Sequence, residues 1–146
     1  TLSDKMAVRN RKIRMVIQGV GLLLGSIFLF FVNASAPIWI IYLSFAGWGF
    51  FRAFFDANIY TVLYDVTPSR LHASCSSALI TTGFAVGAFA PVVLGMLIPE
   101  SASAEAISAS WATAFKVLAM VWIVCGALML VGSRIFYQRD YDKVNK

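Results

Sequence analysis

Arg52 and Asp56 are the residues of this chain best placed to do chemistry. They stand four positions apart inside a long apolar stretch, so on a helix they share one face and can pair. A charged group at mid-bilayer depth is costly on an isolated helix, and such groups face a protein interior or a wet cavity. The same stripe passes through Phe45 and Gly49 on one side and Tyr60 on the other. Two roles are open to the pair. It is either a self-neutralised brace that pins helix packing, or a charged wall of a polar translocation cavity. Asn58 falls on a different face and is expected to bond to a neighbouring helix.

Other polar residues carry less. Lys116 stands a turn or two inside the last apolar run, where its stem can snorkel to the outer interface. His72 sits beside Arg70 at a helix start and is expected to be solvated or to face phosphate. It is the only histidine, and neither Cys75 nor Cys125 has a nearby partner, so no metal-ligand spacing exists. Both cysteines read as small buried hydrophobes rather than a disulfide. There is no nucleophile with a base, no pair of intramembrane carboxylates and no phosphate-cradling glycine loop, so no enzyme and no cofactor are expected.

The elements that hold these residues are written in the composition. Of 146 residues, 60% are hydrophobic and only 13% charged, against about a quarter charged in soluble domains. A water-soluble domain of this size lacks the polar groups to cover its surface. The net charge of +5 does not mark a nucleic-acid binder, because the basic residues sit at the ends of apolar runs. No signal peptide is read at the amino end: the first apolar run is too long and lacks a small-residue cleavage site.

Four apolar stretches are each long enough to cross a hydrocarbon core, which takes about 20 helical residues. They cover residues 13–32, 37–64, 68–98 and 111–136 of a single partial transmembrane domain, 1–146. In lipid the backbone must satisfy itself, so helices are the default, and no stretch alternates as a barrel strand would. Thr67-Pro68 predicts an N-cap and a first helical proline for the third span. Gly83, Gly87, Pro91 and Gly95 recur every four residues along it, predicting a seam for close helix approach and a kink at Pro91.

Charge sets the expected orientation. Lys5, Arg9, Arg11, Lys12 and Arg14 cluster at the N-terminal end up to the start of the first run, Arg70 lies in the second connection, and Arg134, Arg139, Lys143 and Lys146 cluster from the end of the last run into the tail. The connections 33–36 and 99–110 contain no Lys or Arg. The positive-inside rule places both chain ends and the Arg70 loop in the cytoplasm, with Trp39 and Trp111 at the outer interface.

On these residues the chain resembles the major facilitator superfamily of transporters. Leu2-Ser3-Asp4-Lys5, followed by Arg9, Arg11 and Lys12, is similar to the acidic-then-basic cytoplasmic loop joining the second and third helices of each half, without its usual glycine. Arg52, Asp56-Ala57-Asn58, Asp65-Val66-Thr67-Pro68, Arg70 and Ala73 resemble the tenth helix and following loop of bacterial members of sugar-acid and organic-anion type, with His72 where a second arginine is usual. Gly83 to Gly95 with Pro91 is similar to the seam of the eleventh helix.

The resemblance implies an all-α membrane fold, part of the C-terminal half, in which this chain supplies helices nine to twelve. The N-terminal half and helices seven and eight are then missing partners, alongside the lipid bilayer and a small solute. It implies an inner-membrane secondary transporter working by alternating access, in which the tenth helix lines the cavity. Arg52 would attract an anionic group, with Asp56 and Tyr60 beside it and Asp56 tuning the site or coupling protons in symport. Asp4, Lys5, Arg9, Arg11, Asp65 and Arg70 would form a cytoplasmic charge network. A self-contained four-helix protein, either a small exporter subunit or a scaffold, is the alternative.

Overall fold

The computed structural model describes residues 12–33, 35–97 and 103–144. Asp4, Lys5, Arg9 and Arg11, expected in the charge network, lie outside the described residues. Regular structure in the described chain is helical throughout, with no strand. The order is α1 (Ile13–Phe30), α2 (Ile38–Asp56), α3 (Ile59–Asp65), a 3₁₀ turn (Ser69–Leu71), α4 (His72–Leu97), α5 (Ala104–Ile135) and α6 (Tyr137–Val144). Four stretches are long and apolar enough to cross a membrane: Ile13–Phe30, Ile38–Asp65, Ser69–Val93 and Ala104–Ile135. Four such helices are compatible with a multi-pass membrane protein.

Helix α1 is the centre of the packing, gripped between α2 and α5. Its buried residues, Gln18, Gly19, Gly21, Leu22, Gly25, Ser26 and Leu29, are mostly small. Two glycine crossings explain why. A Cβ on Gly19 would stand 3.0 Å from the Gly126 carbonyl oxygen, and one on Gly126 would stand 2.9 Å from that of Gly19. On the opposite flank a Cβ on Gly21 would meet the Phe51 carbonyl at 2.8 Å. Small residues let backbones approach where no hydrophobic effect drives helices together. The buried hydroxyls of Ser26, Ser44 and Ser133 bond carbonyls of their own helices, those of Leu23, Ile40 and Leu130. They therefore serve the interfaces by small size, not by bonds between helices. Aromatic pairs fill the remaining gaps: Phe28 stacks on Phe51, Phe45 meets Phe115 edge-on and Trp48 meets Trp122.

The large apolar side chains point outward. Phe50 is 63% exposed, Phe84 77% and Met96 82%, far more contiguous apolar surface than a soluble monomer tolerates. A lipid environment would make such a surface stable.

Helix α4 differs from the expectation drawn for it. Gly83, Gly87 and Gly95 have nothing within 4 Å of where a Cβ would stand, and Pro91 sits inside the helix without ending it. The small-residue row forms, but no described part of this chain packs on it. The row that is packed lies on α1. The physical reason is that α4 is apolar on every side, so no face of it is singled out for burial within the chain.

Two boundaries also differ. Pro68 is extended (φ −56°, ψ 140°) and precedes the 3₁₀ turn rather than opening the helix, and no side chain caps it. Helix α5 begins at Ala104, ahead of Trp111, because the Ser103 hydroxyl accepts from the Ala106 N–H at 3.3 Å and starts it there. Lys116 consequently lies about three turns from the helix start. It is exposed. Apolarity marks where a helix can enter lipid, not where its hydrogen bonds begin. Cys75 and Cys125 are free thiols, but Cys125 is exposed on the outer face of α5 instead of buried.

Candidate functional site

The second crossing carries the site. From Ile38 to Asp65 it has 28 residues, about 42 Å of helix at 1.5 Å per residue, with Arg52 near its middle. Arg52 Nε donates to Asp56 Oδ2 at 3.1 Å, the single hydrogen bond Arg52 makes among the described residues. Its guanidinium carbon lies 5.3 Å from the centroid of the Trp48 ring, within cation–π range. The side chains are 48% and 55% exposed. The expected i,i+4 pair is therefore formed, and it faces out of the bundle.

The stripe expected around the pair is only partly continuous. Phe45 is taken up by Phe115 of α5, whereas Gly49 opens on free space. Tyr60 lies on α3, beyond an interruption. It neighbours Tyr64 at a centroid distance of 6.3 Å, and no hydrogen bond joins it to Arg52 or Asp56. The interruption is at Ala57–Asn58, where the Asn58 N–H reaches back only to the Phe55 carbonyl at 3.1 Å. This tighter turn leaves the Phe54 carbonyl without its usual donor, and Asn58 Nδ2 supplies one at 2.9 Å. Asn58 thus repairs its own helix and does not bond to a neighbour. Gln18 of α1, fully buried, donates from Nε2 to the Phe55 carbonyl at 3.3 Å. The carbonyls at this irregularity are thus satisfied by two buried side chains, and such a break is tolerated where it is buried in protein.

A second polar junction joins three helix ends. Arg14 Nη1 donates to Asp65 Oδ2 at 3.0 Å and lies 3.4 Å from Oδ1. The Tyr137 hydroxyl donates to the same Oδ2 at 2.7 Å. Both ion-pair side chains are 20% exposed, and Tyr137 is buried. The start of α1, the end of α3 and the start of α6 therefore meet at one end of the bundle. That is the arrangement an up–down order requires. Asp65 was expected in a charge network. Arg14, grouped above only with the N-terminal basic residues, and Tyr137, not singled out at all, are the partners that sequence reasoning missed. The signal was available for Arg14: it stands in the first turn of an apolar helix at the depth of Asp65, and neither charge is stable there alone. Arg70 is exposed and makes no ion pair among the described residues.

His72 is half-buried and bonded within the chain. Its Nε2 is hydrogen-bonded to the Thr67 carbonyl at 2.8 Å and its ring stacks on Tyr64, centroids 4.4 Å apart. The Tyr64 hydroxyl in turn lies 2.8 Å from Ser76 Oγ, which donates to the His72 carbonyl. These contacts fold the start of α4 back onto α3 and make the connection a rigid corner.

No group of three or more His, Cys, Asp or Glu side chains among the described residues is arranged to hold a metal ion. At the Arg52–Asp56 pair, both Nη atoms and Oδ1 make no hydrogen bond to a described residue, so the pair can still donate to and accept from a further polar group. No protein-family model, curated protein or solved structure matches the chain.

Proposed function

We propose that this chain is part of the C-terminal half of a secondary transporter of major facilitator type. It moves a small anionic solute, such as a sugar acid or an organic acid, by alternating access. In this reading it is an inner-membrane protein with both chain ends in the cytoplasm, as the basic ends and the Arg70 loop favour. The observation that carries the reading is the Arg52–Asp56 pair, near mid-crossing and about half exposed on an uncovered face. Left against lipid, such a pair is expensive. Beside a hydrated cavity closed by further helices of the same transporter, it is stable and useful. Arg52 attracts the anionic group, Asp56 tunes it or takes part in proton coupling, and Tyr60 lies farther along the same crossing. The Arg14–Asp65–Tyr137 junction ties the ends of three helices together, which suits a half that rocks as one body against its pseudo-symmetric partner.

The test is Arg52→Ala in the full-length transporter, reconstituted in proteoliposomes and assayed with radiolabelled sugar acids and short organic acids. Uptake is expected to vanish while yield and thermal stability stay at wild-type levels. Uptake persisting at wild-type affinity would make the pair a packing brace.

A self-contained four-helix protein assembling from copies of itself is the second reading. The uncovered α4 favours it, because a second copy would also cover that helix. Native mass spectrometry separates the two: a stable homo-oligomer of this chain, without further helices, supports assembly from copies.

A further inference from the structure

Resting on the reading of Arg52 and Asp56 as a solute site, we propose that the pair selects hydroxy monocarboxylates, taking the carboxylate on the terminal edge of Arg52 and the adjacent hydroxyl on Asp56. A guanidinium offers five N–H donors in a rigid plane. Arg52 spends only Nε on Asp56, at 3.1 Å, and neither Nη atom makes a hydrogen bond to a described residue. The two parallel N–H groups at the end of the fork are therefore open, and their spacing matches the two oxygens of a planar carboxylate. The Trp48 ring, 5.3 Å from the guanidinium carbon, backs the group and limits where it can swing. Asp56 uses Oδ2, while Oδ1 accepts no hydrogen bond from a described residue. An unused acceptor thus stands beside an unused double donor. The complementary ligand brings an oxyanion and a donor next to it, which is the chemistry of a hydroxy acid. Gly49, a turn before Arg52 on the same face, adds no side chain to the open flank.

Charge narrows the class. Arg52 and Asp56 sum to zero, so a bound monoanion leaves one net negative charge. A dianion such as a phosphate monoester would leave two, near the middle of a membrane, where uncompensated charge is most costly. Lysine cannot substitute, because an ammonium is a point charge without the fork.

The experiment uses the full-length protein in lipid nanodiscs, labelled with fluorotryptophan, with the Trp48 fluorine NMR signal assigned by its loss in Trp48→Phe. Glycolate, acetate, methyl glycolate and inorganic phosphate are titrated at matched ionic strength. Glycolate is expected to shift the Trp48 signal saturably at roughly 10-fold lower concentration than acetate, the effect of one hydrogen bond to a charged acceptor. Methyl glycolate should do nothing. Asp56→Leu should erase the preference for glycolate, and Arg52→Lys should weaken both acids. The comparison of glycolate with acetate needs no folded variant. Equal affinity for the two acids, undiminished binding in Arg52→Lys, tighter binding of phosphate, or no saturable shift at all each overturns the inference. Uptake is read separately. Arg52-dependent uptake without glycolate preference sinks the ligand chemistry and leaves transport standing. Glycolate preference with uptake indifferent to Arg52 does the reverse.

Discussion

Replacing Gly126 by alanine tests whether the close crossing of α1 and α5 holds the bundle together. The new methyl group would stand 2.9 Å from the Gly19 carbonyl oxygen and 2.9 Å from Leu23 Cγ. Backbone cannot yield as a flexible side chain can, so the two helices must separate by several tenths of an ångström. Overpacking of this kind costs about 1–3 kcal/mol. Alanine also has a higher helix propensity than glycine by about 1 kcal/mol, which offsets part of that cost. The informative quantity is therefore the difference from Gly87→Ala, which gains the same propensity with nothing within 4 Å to strike. Gly126→Ala is expected to be less stable than Gly87→Ala by about 1–3 kcal/mol, a factor of roughly 5 to 150 in the unfolding equilibrium. Gly21→Ala, whose methyl would stand 2.8 Å from the Phe51 carbonyl, should group with Gly126→Ala, and Gly49→Ala with Gly87→Ala. The assay is reversible unfolding in mixed micelles by titration with a denaturing detergent, followed by circular dichroism. If Gly87→Ala destabilises as much as Gly126→Ala, the glycine row of α4 is packed within the folded chain and the reasoning fails.

Further outcomes concern the polar junctions and the orientation. Tyr137→Phe removes one hydrogen bond to a carboxylate and is expected to lower stability by about 1.5–3 kcal/mol in the same titration; no change would mean that α6 is held by something else. Asp65→Asn should cost at least as much, since it also removes the charge opposite Arg14, and the two variants together should fall short of additivity because they share Oδ2. His72→Ala should loosen the corner between α3 and α4, seen as faster hydrogen exchange of the amides near Thr67 with little change in the α1–α5 crossing. In a background with Cys75 and Cys125 replaced by serine, an impermeant maleimide should label Ser35→Cys only from the periplasmic side and Ser69→Cys only from the cytoplasmic side. Labelling from the reverse sides would invert the proposed orientation.

Some of this protein could be read from its sequence because it is local. Apolar length alone marks the four helices long enough to cross a membrane, since a helix in lipid satisfies its own backbone and needs no partner to do so. The Arg52–Asp56 bond follows from i,i+4 spacing on one helix, and its formation required nothing from the rest of the chain. Tertiary structure decided what depends on a choice among partners. Two helices carried rows of small residues, and only contact with α2 and α5 distinguishes the packed row on α1 from the open one on α4. The partners of Asp65 come from 51 and 72 residues away in sequence, a pairing that no local spacing encodes. Asn58 looked available to a neighbour until the tightened turn at Ala57–Asn58 left the Phe54 carbonyl for it. Small residues and single charges are ambiguous alone, because their energy comes entirely from what is brought against them.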